Sequence, residues 1–142
     1  YVADDGSRKR PVMIHRAPFG SLERLIGILI EEYAGDFPLW LAPTQVRLLP
    51  VAEEFLPFAK QVVGEMLTAG LRAEVDLSGD RLGKLIRNAE KDKIPVMAVV
   101  GAKEVESNSL SIRTRSGGEL GAIEVSEVLQ RLKHANVQHT NF

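Results

Sequence analysis

Pro95-Val96-Met97-Ala98-Val99-Val100-Gly101 is apolar without interruption. A strand covered on one face alternates apolar and polar residues, whereas a strand covered on both faces has no polar position. The run therefore reads as a central strand, and the flanking chain must supply the helices that cover it. Upstream, Leu82, Leu85, Ile86 and Ala89 recur at helical spacing. Before them Ala73, Val75 and Leu77 alternate as a strand, and Ser78-Gly79-Asp80 is a loop with helix-capping side chains. Residues 53–69 form a helix with Phe55, Phe58, Ala59, Val62, Val63, Met66 and Leu67 on its apolar face. Pro57 is tolerable only in its first turn, and Gly70 ends it. Residues 46–51 are another strand.

Two strand–helix–strand units in succession require right-handed crossovers and a parallel sheet. Downstream, Leu110, Ile112 and Thr114 alternate with Arg113 and Arg115. Ser116-Gly117-Gly118 is a hairpin turn, and residues 119–124 return antiparallel. Ser126 caps a last helix bearing Val128, Leu129 and Leu132, and the tail from Asn136 has no pattern and frays. The predicted fold class is α/β, a mixed five-stranded sheet with about three flanking helices. The pattern alone also allows other α/β domains.

The first part of the chain follows a different pattern. Pro11-Val12-Met13-Ile14 reads as a strand ending in His15, paired in a hairpin with residues 1–10 through a turn at Asp5-Gly6-Ser7. A turn at Pro18 to Gly20 leads to Ser21, a helix N-cap, and then to a helix with Leu22, Leu25, Ile26, Leu29, Ile30 and Tyr33 at helical spacing. Gly35 stops it. Arg24 lies on a different face beside Gly27 and Ile28, where a glycine leaves room for a flat group. Residues 36–44 carry Pro38 and Pro43 with apolar residues between, and read as an ordered linker.

Bulk properties narrow the function. The chain has 142 residues, 44% hydrophobic and 26% charged, with net charge −1. That describes an ordinary globular protein, and any nucleic-acid contact must come from a local patch. Cysteine is absent, which excludes disulfides and thiol chemistry. No apolar run is long enough to span a membrane, and the polar start has no signal-peptide core, so a cytoplasmic location is expected. The lack of an initiator Met suggests a piece of a longer protein. There is no Gly-rich phosphate loop, His-Glu-x-x-His or Gly-x-Ser-x-Gly, and Gly117-Gly118-Glu119-Leu120-Gly121 lacks the strand-to-helix setting of a dinucleotide fingerprint.

His15-Arg16-Ala17-Pro18-Phe19-Gly20-Ser21-Leu22-Glu23-Arg24-Leu25-Ile26-Gly27-Ile28-Leu29 resembles motif 3 of class II aminoacyl-tRNA synthetases, in wording close to the threonyl-tRNA synthetases. Phe37-Pro38-Leu39-Trp40-Leu41-Ala42-Pro43-Thr44-Gln45-Val46 resembles that family's junction into its anticodon-binding domain. Gly101-Ala102-Lys103-Glu104-Val105-Glu106, with Arg113-Thr114-Arg115, resembles its anticodon-reading hairpin. The resemblance covers nearly the whole chain in order. It implies that residues 1–41 are the end of a class II catalytic domain and residues 42–142 an anticodon-binding domain.

The resemblance assigns roles that must be weighed against plainer ones. A lone His15 at a strand end is ordinarily structural; by resemblance it is one of three zinc ligands, the other two lying outside this chain, on a zinc that holds the threonine amine and hydroxyl. Arg24 on spacing alone is a solvated helix arginine; by resemblance it stacks on ATP, for which a planar, permanently charged guanidinium is suited. Ser21 is an N-cap whose family counterpart lies near threonine. Arg16 and Glu23 read as structural.

Glu104 and Arg113 match the anticodon-reading positions, with Val105 and Ile112 anchoring the other face of the hairpin; without the resemblance the pair would be a surface salt bridge. A carboxylate accepts from guanine N1–H and N2–H₂ or uracil N3–H, and an arginine donates to guanine O6 and N7. Family members often have Arg-Asn-Glu after Asp-Leu; here Asp76-Leu77 is followed by Ser78-Gly79-Asp80, so Gly79 offers only backbone. Lys84, Arg87, Lys91 and Lys93 are either a solvated face or a patch for tRNA phosphates.

The resemblance thus implies the C-terminal part of an ATP-dependent threonine-tRNA ligase, with zinc and magnesium–ATP in the parent enzyme, threonine and its tRNA as partners, and a homodimer through the catalytic region. The piece itself is expected to bind tRNA, to hold no cofactor tightly and to be inactive alone. The alternatives are a non-catalytic paralogue that binds another RNA or a protein, and a small nucleotide-binding α/β domain, which would need a phosphate site.

Overall fold

The computed structural model describes residues 1–115 and 117–142. In chain order it contains α1 (Leu22–Tyr33), β1 (Val46–Pro50), a 3₁₀ turn (Glu53–Phe55) running into α2 (Leu56–Thr68), β2 (Ala73–Val75), α3 (Leu82–Lys91), β3 (Val96–Val100), α4 (Ala102–Glu106), β4 (Ser109–Thr114), β5 (Gly118–Glu124) and α5 (Val125–Gln138). The strands form one five-stranded sheet in the order β2-β1-β3-β4-β5. β1 is parallel to β2 and to β3, while β4 is antiparallel to β3 and to β5. The expected mixed sheet is present, with β3 at its centre.

The period of two in β1, β3 and β4 divides the core. Val46, Leu48, Val96, Ala98, Val100, Leu110 and Ile112 face α2 and α5, meeting Ala59, Val62, Met66, Val128 and Leu132. Leu49 and Met97 face α3 and meet Leu85, Ala89 and Ile94. Each fully buried aliphatic side chain contributes about 1.5–3 kcal/mol. Pro57 sits in the first turn of α2, where no intrahelical bond needs its missing N–H.

The linker is ordered as expected, and its residue Leu39 is 1% exposed within the main core. Gln45 holds it: its Nε2 donates to the Leu39 carbonyl at 2.9 Å and to Asn136 Oδ1 at 2.6 Å, and its Oε1 accepts from the Arg72 amide at 3.0 Å. Arg72 donates to the Ala42 and Trp40 carbonyls.

Several expectations need correction. Residues 11–14 are not a strand; Val12 is 90% exposed. A strand needs a neighbour to take its N–H and C=O groups, and only an isolated Val2–Arg8 bridge forms there, around the Asp5-Gly6-Ser7 turn. The tail does not fray from Asn136. α5 runs on to Gln138, Asn136 bonds Gln45, and His139 lies against Trp40 with ring centroids 4.6 Å apart. Arg81, not Ser78 or Asp80, precedes α3, and Glu124, not Ser126, precedes α5, so neither helix has a side-chain cap. Residues 102–106 form a short helix, not a hairpin arm. In the expected turn at Ser116-Gly117-Gly118, Ser116 lies outside the described residues.

Candidate nucleic-acid interface

The order β2-β1-β3 brings three loops to one edge of the sheet, at the carboxyl ends of its parallel strands. Ligands of open α/β sheets bind at that edge. The loop after β1 and the loop after β2 enclose a cavity of about 340 Å³ lined by Pro50, Val51, Leu56, Asp76, Leu77 and Gly79 among others. Asp76 shapes the second loop: its Oδ1 accepts from the Ser78 amide at 2.9 Å. Gly79 has φ +67, a conformation open to glycine and costly for most other residues. Leu77 was expected to end a strand; it is 66% exposed beside the cavity.

The third loop carries Glu104. Its Oε2 accepts from the Gly101 amide at 2.9 Å, the reach-back of a helix N3 glutamate to the N-cap. A side chain at Gly101 would meet Glu104 Oε2 at 3.0 Å and Val51 Cγ2 at 3.4 Å, so glycine permits this close approach. The bond occupies one carboxylate oxygen and leaves the other to accept elsewhere.

Arg113 is not at this edge. It pairs in register with Met97 near the start of β3, on the face covered by α3. Four residues of strand separate that position from Gly101, roughly 13 Å at the usual rise. Its Nη1 lies 3.2 Å from Glu119 Oε1 and its Nη2 3.5 Å from Glu90 Oε1. Glu104 and Arg113 are therefore not brought together, because residues 102–106 coil into α4 at the end of β3 instead of extending beside β4. Ile112 is anchored in the core as expected, whereas Val105 is 37% exposed.

The basic cluster divides in the same way. Lys84 lies in the first turn of α3, near the edge, and its Nζ is 2.9 Å from Asp80 Oδ1; Arg87 is exposed further along that helix. Lys91 and Lys93 lie at the other end of the helix, where Lys93 Nζ donates to the Ala34 carbonyl. The positive end of the α3 dipole points to the carboxyl edge.

In the first part of the chain His15, Ser21 and Arg24 are all exposed. Ser21 caps α1, accepting from the Arg24 amide at 3.4 Å and donating to Glu23 Oε2 at 2.6 Å. That hydroxyl holds the Glu23 carboxyl below its ordinary range. A side chain at Gly27 would meet nothing, so the surface beside Arg24 is open. Among the described residues no group of three or more His, Cys, Asp or Glu could hold a metal ion.

Sequence reasoning missed Arg47. It faces Glu74 directly across β1 and β2, at 2.6 Å, and reaches Asp92 at 2.7 Å with 15% of its side chain exposed. Burial works against its charge, but the hydrogen bonds to Asp92 and Glu74 outweigh it and hold the guanidinium above its ordinary value. The available signal was one charge inside an otherwise apolar strand.

Comparisons with known proteins bear on the family and the fold. Residues 45–135 match the family described as anticodon binding domain. The chain is 75% identical over 139 residues to a threonine--tRNA ligase of Synechocystis sp., covering 98% of the chain and 23% of that protein. It is 70% identical over 135 residues to a threonine--tRNA ligase of Synechococcus elongatus, covering 95% of the chain and 22% of that protein. The chain thus spans less than a quarter of these relatives. Among solved structures, it is similar to the RNA binding domain of threonyl-tRNA synthetase from Cryptosporidium parvum, with TM-score 0.76, 26% identity and coverage of 84% of this chain and 30% of that one.

Proposed function

Since the chain belongs to the anticodon-binding domain family, we propose that it is the C-terminal part of a threonyl-tRNA synthetase and that the carboxyl edge of its sheet binds the anticodon of threonine tRNA. The observation that carries this reading is the Glu104 carboxylate, oriented by the Gly101 amide at the end of β3 with one oxygen free. Single-stranded loop bases present their edges to such a group. Threonine anticodons share a central guanine and a third-position uracil, and both offer N–H donors to a carboxylate. Arg113, roughly 13 Å away along the sheet, reads a different nucleotide from Glu104. Gly79 presents backbone beside the cavity, and Lys84 and Arg87 meet phosphates along α3.

On this reading residues 1–41 close the catalytic domain and residues 42–142 form the anticodon-binding domain. Arg24 and Ser21 serve the ATP and threonine sites of the parent enzyme, which joins threonine to its tRNA with magnesium–ATP in the cytoplasm as a homodimer. The residues present do not themselves fit a zinc ion: His15 is exposed, and among the described residues it belongs to no group of three or more His, Cys, Asp or Glu that could hold a metal. Its partner ligands would have to come from other residues of the parent enzyme.

Binding of this chain to threonine tRNA, and to the same tRNA carrying another anticodon, tests the proposal. Tighter binding to the threonine anticodon is expected. Equal binding to both would favour the alternative of a paralogous domain that recognises another RNA or a protein.

A further inference from the structure

No residue of α1 is fully buried, and at its carboxyl end Tyr33 lies against Phe37 of the linker with ring centroids 5.9 Å apart. Polar bonds join the same end to the sheet. Arg115, just beyond β4, pairs through Nε with Asp36, donates from Nη2 to the Phe37 carbonyl at 3.2 Å, and donates from Nη1 to the Lys93 carbonyl at 2.6 Å. Lys93 Nζ donates to the carbonyl of Ala34, the left-handed residue that ends α1 and one whose carbonyl has no helical partner. The Arg115 amide donates to the Pro95 carbonyl at 3.0 Å, which ties the Arg115 backbone to the start of β3. A planar fork of N–H donors can serve a carboxylate and two carbonyls together, whereas an ammonium is a point charge without that geometry.

We propose that Arg115, helped by Lys93, is a positioning residue that sets the angle between α1 and the sheet, and with it the geometry between Arg24 and the carboxyl-edge site. The joint lies at the amino ends of the parallel strands, at the opposite end of β3 from Gly101 and Glu104. Its geometry does not depend on the anticodon reading. Arg115 and Asp36 keep 23% and 50% of their side chains exposed, so salt screens the pair.

The sequence contains no cysteine, so two can be introduced without background. Spin labels at Ile28→Cys on α1 and Lys60→Cys on α2, in molecules diluted into unlabelled protein, report the angle as a distance distribution. The labelled parent should give a narrow distribution. Arg115→Ala, and separately Asp36→Asn in the linker, should make it roughly twice as wide by admitting further orientations. Arg115→Lys should also widen it, although it keeps the charge. Thermal unfolding of the Asp36→Asn variant should be unchanged, which separates positioning from stability. A parent distribution as wide as that of the variants, or variants as narrow as the parent, would overturn the proposal.

Discussion

Glu104 Oε2 accepts the Gly101 amide at 2.9 Å, so the carboxylate that meets RNA in our proposal also caps the helix that carries it. Replacing it should therefore have two separable effects. Glu104→Gln keeps an oxygen for the Gly101 amide but replaces the second acceptor with a donor. It should retain nearly all stability while losing about 1–3 kcal/mol of discrimination against a wrong anticodon. Glu104→Ala should lose both, with roughly 0.5–2 kcal/mol of stability gone with the cap. Denaturant titration alongside tRNA binding distinguishes the two variants.

Lys84→Ala and Arg87→Ala should weaken binding evenly across tRNAs. Each removes one phosphate contact, so the slope of log K against log salt should fall by about 0.7–0.9 per residue. Binding measured over a salt series checks this, and a slope equal to that of the parent would remove the residue from the interface.

Gln45 joins the linker, the start of β2 and α5 through one buried amide. Gln45→Leu should cost about 1–3 kcal/mol, because it leaves the Arg72 amide and Asn136 without their partner. Asn136→Ala should cost less, since the amide keeps its bond to Leu39. Midpoints of chemical unfolding give both values.

α1 presents Leu22, Ile26, Ile28 and Ile30 to solvent with no covering element. Exposed apolar surface of that kind finds partners. Light scattering over a concentration series should show self-association, and Ile26→Lys with Ile30→Lys should reduce it.

The sheet was legible because its signals are local and redundant. The run from Pro95 to Gly101 has no polar position, and Leu110 and Ile112 alternate cleanly. The apolar run Val12-Met13-Ile14 carried the same local signal and failed, since a strand exists only with a partner. Residues 102–106 are too short to show a helical period, and the decisive contact, Glu104 with the Gly101 amide, is a capping bond that an extended reading hides. The order of the tail was illegible for another reason: Asn136 is held by Gln45, 91 residues away. In the site, the family resemblance pointed to Glu104 and Gly79, and a cluster of basic residues to Lys84, and these three share one edge; resemblance and residue types offered no more than that. They could not reveal that Arg113 lies at the far end of β4, nor that Arg47 is held between Glu74 and Asp92.

In our proposal Glu104, at the carboxyl edge, and Arg113, roughly 13 Å along the sheet, read different nucleotides of the threonine anticodon. The most direct measurement is binding of Glu104→Ala and Arg113→Ala to threonine tRNA and to versions changed singly at the central guanine or the third uracil. Each substitution should abolish the penalty for one of the two changes, about 1–3 kcal/mol, and leave the other penalty standing. If both variants prefer the threonine anticodon as strongly as the parent, Glu104 is only a helix cap and Arg113 only a surface ion pair, and the account is contradicted.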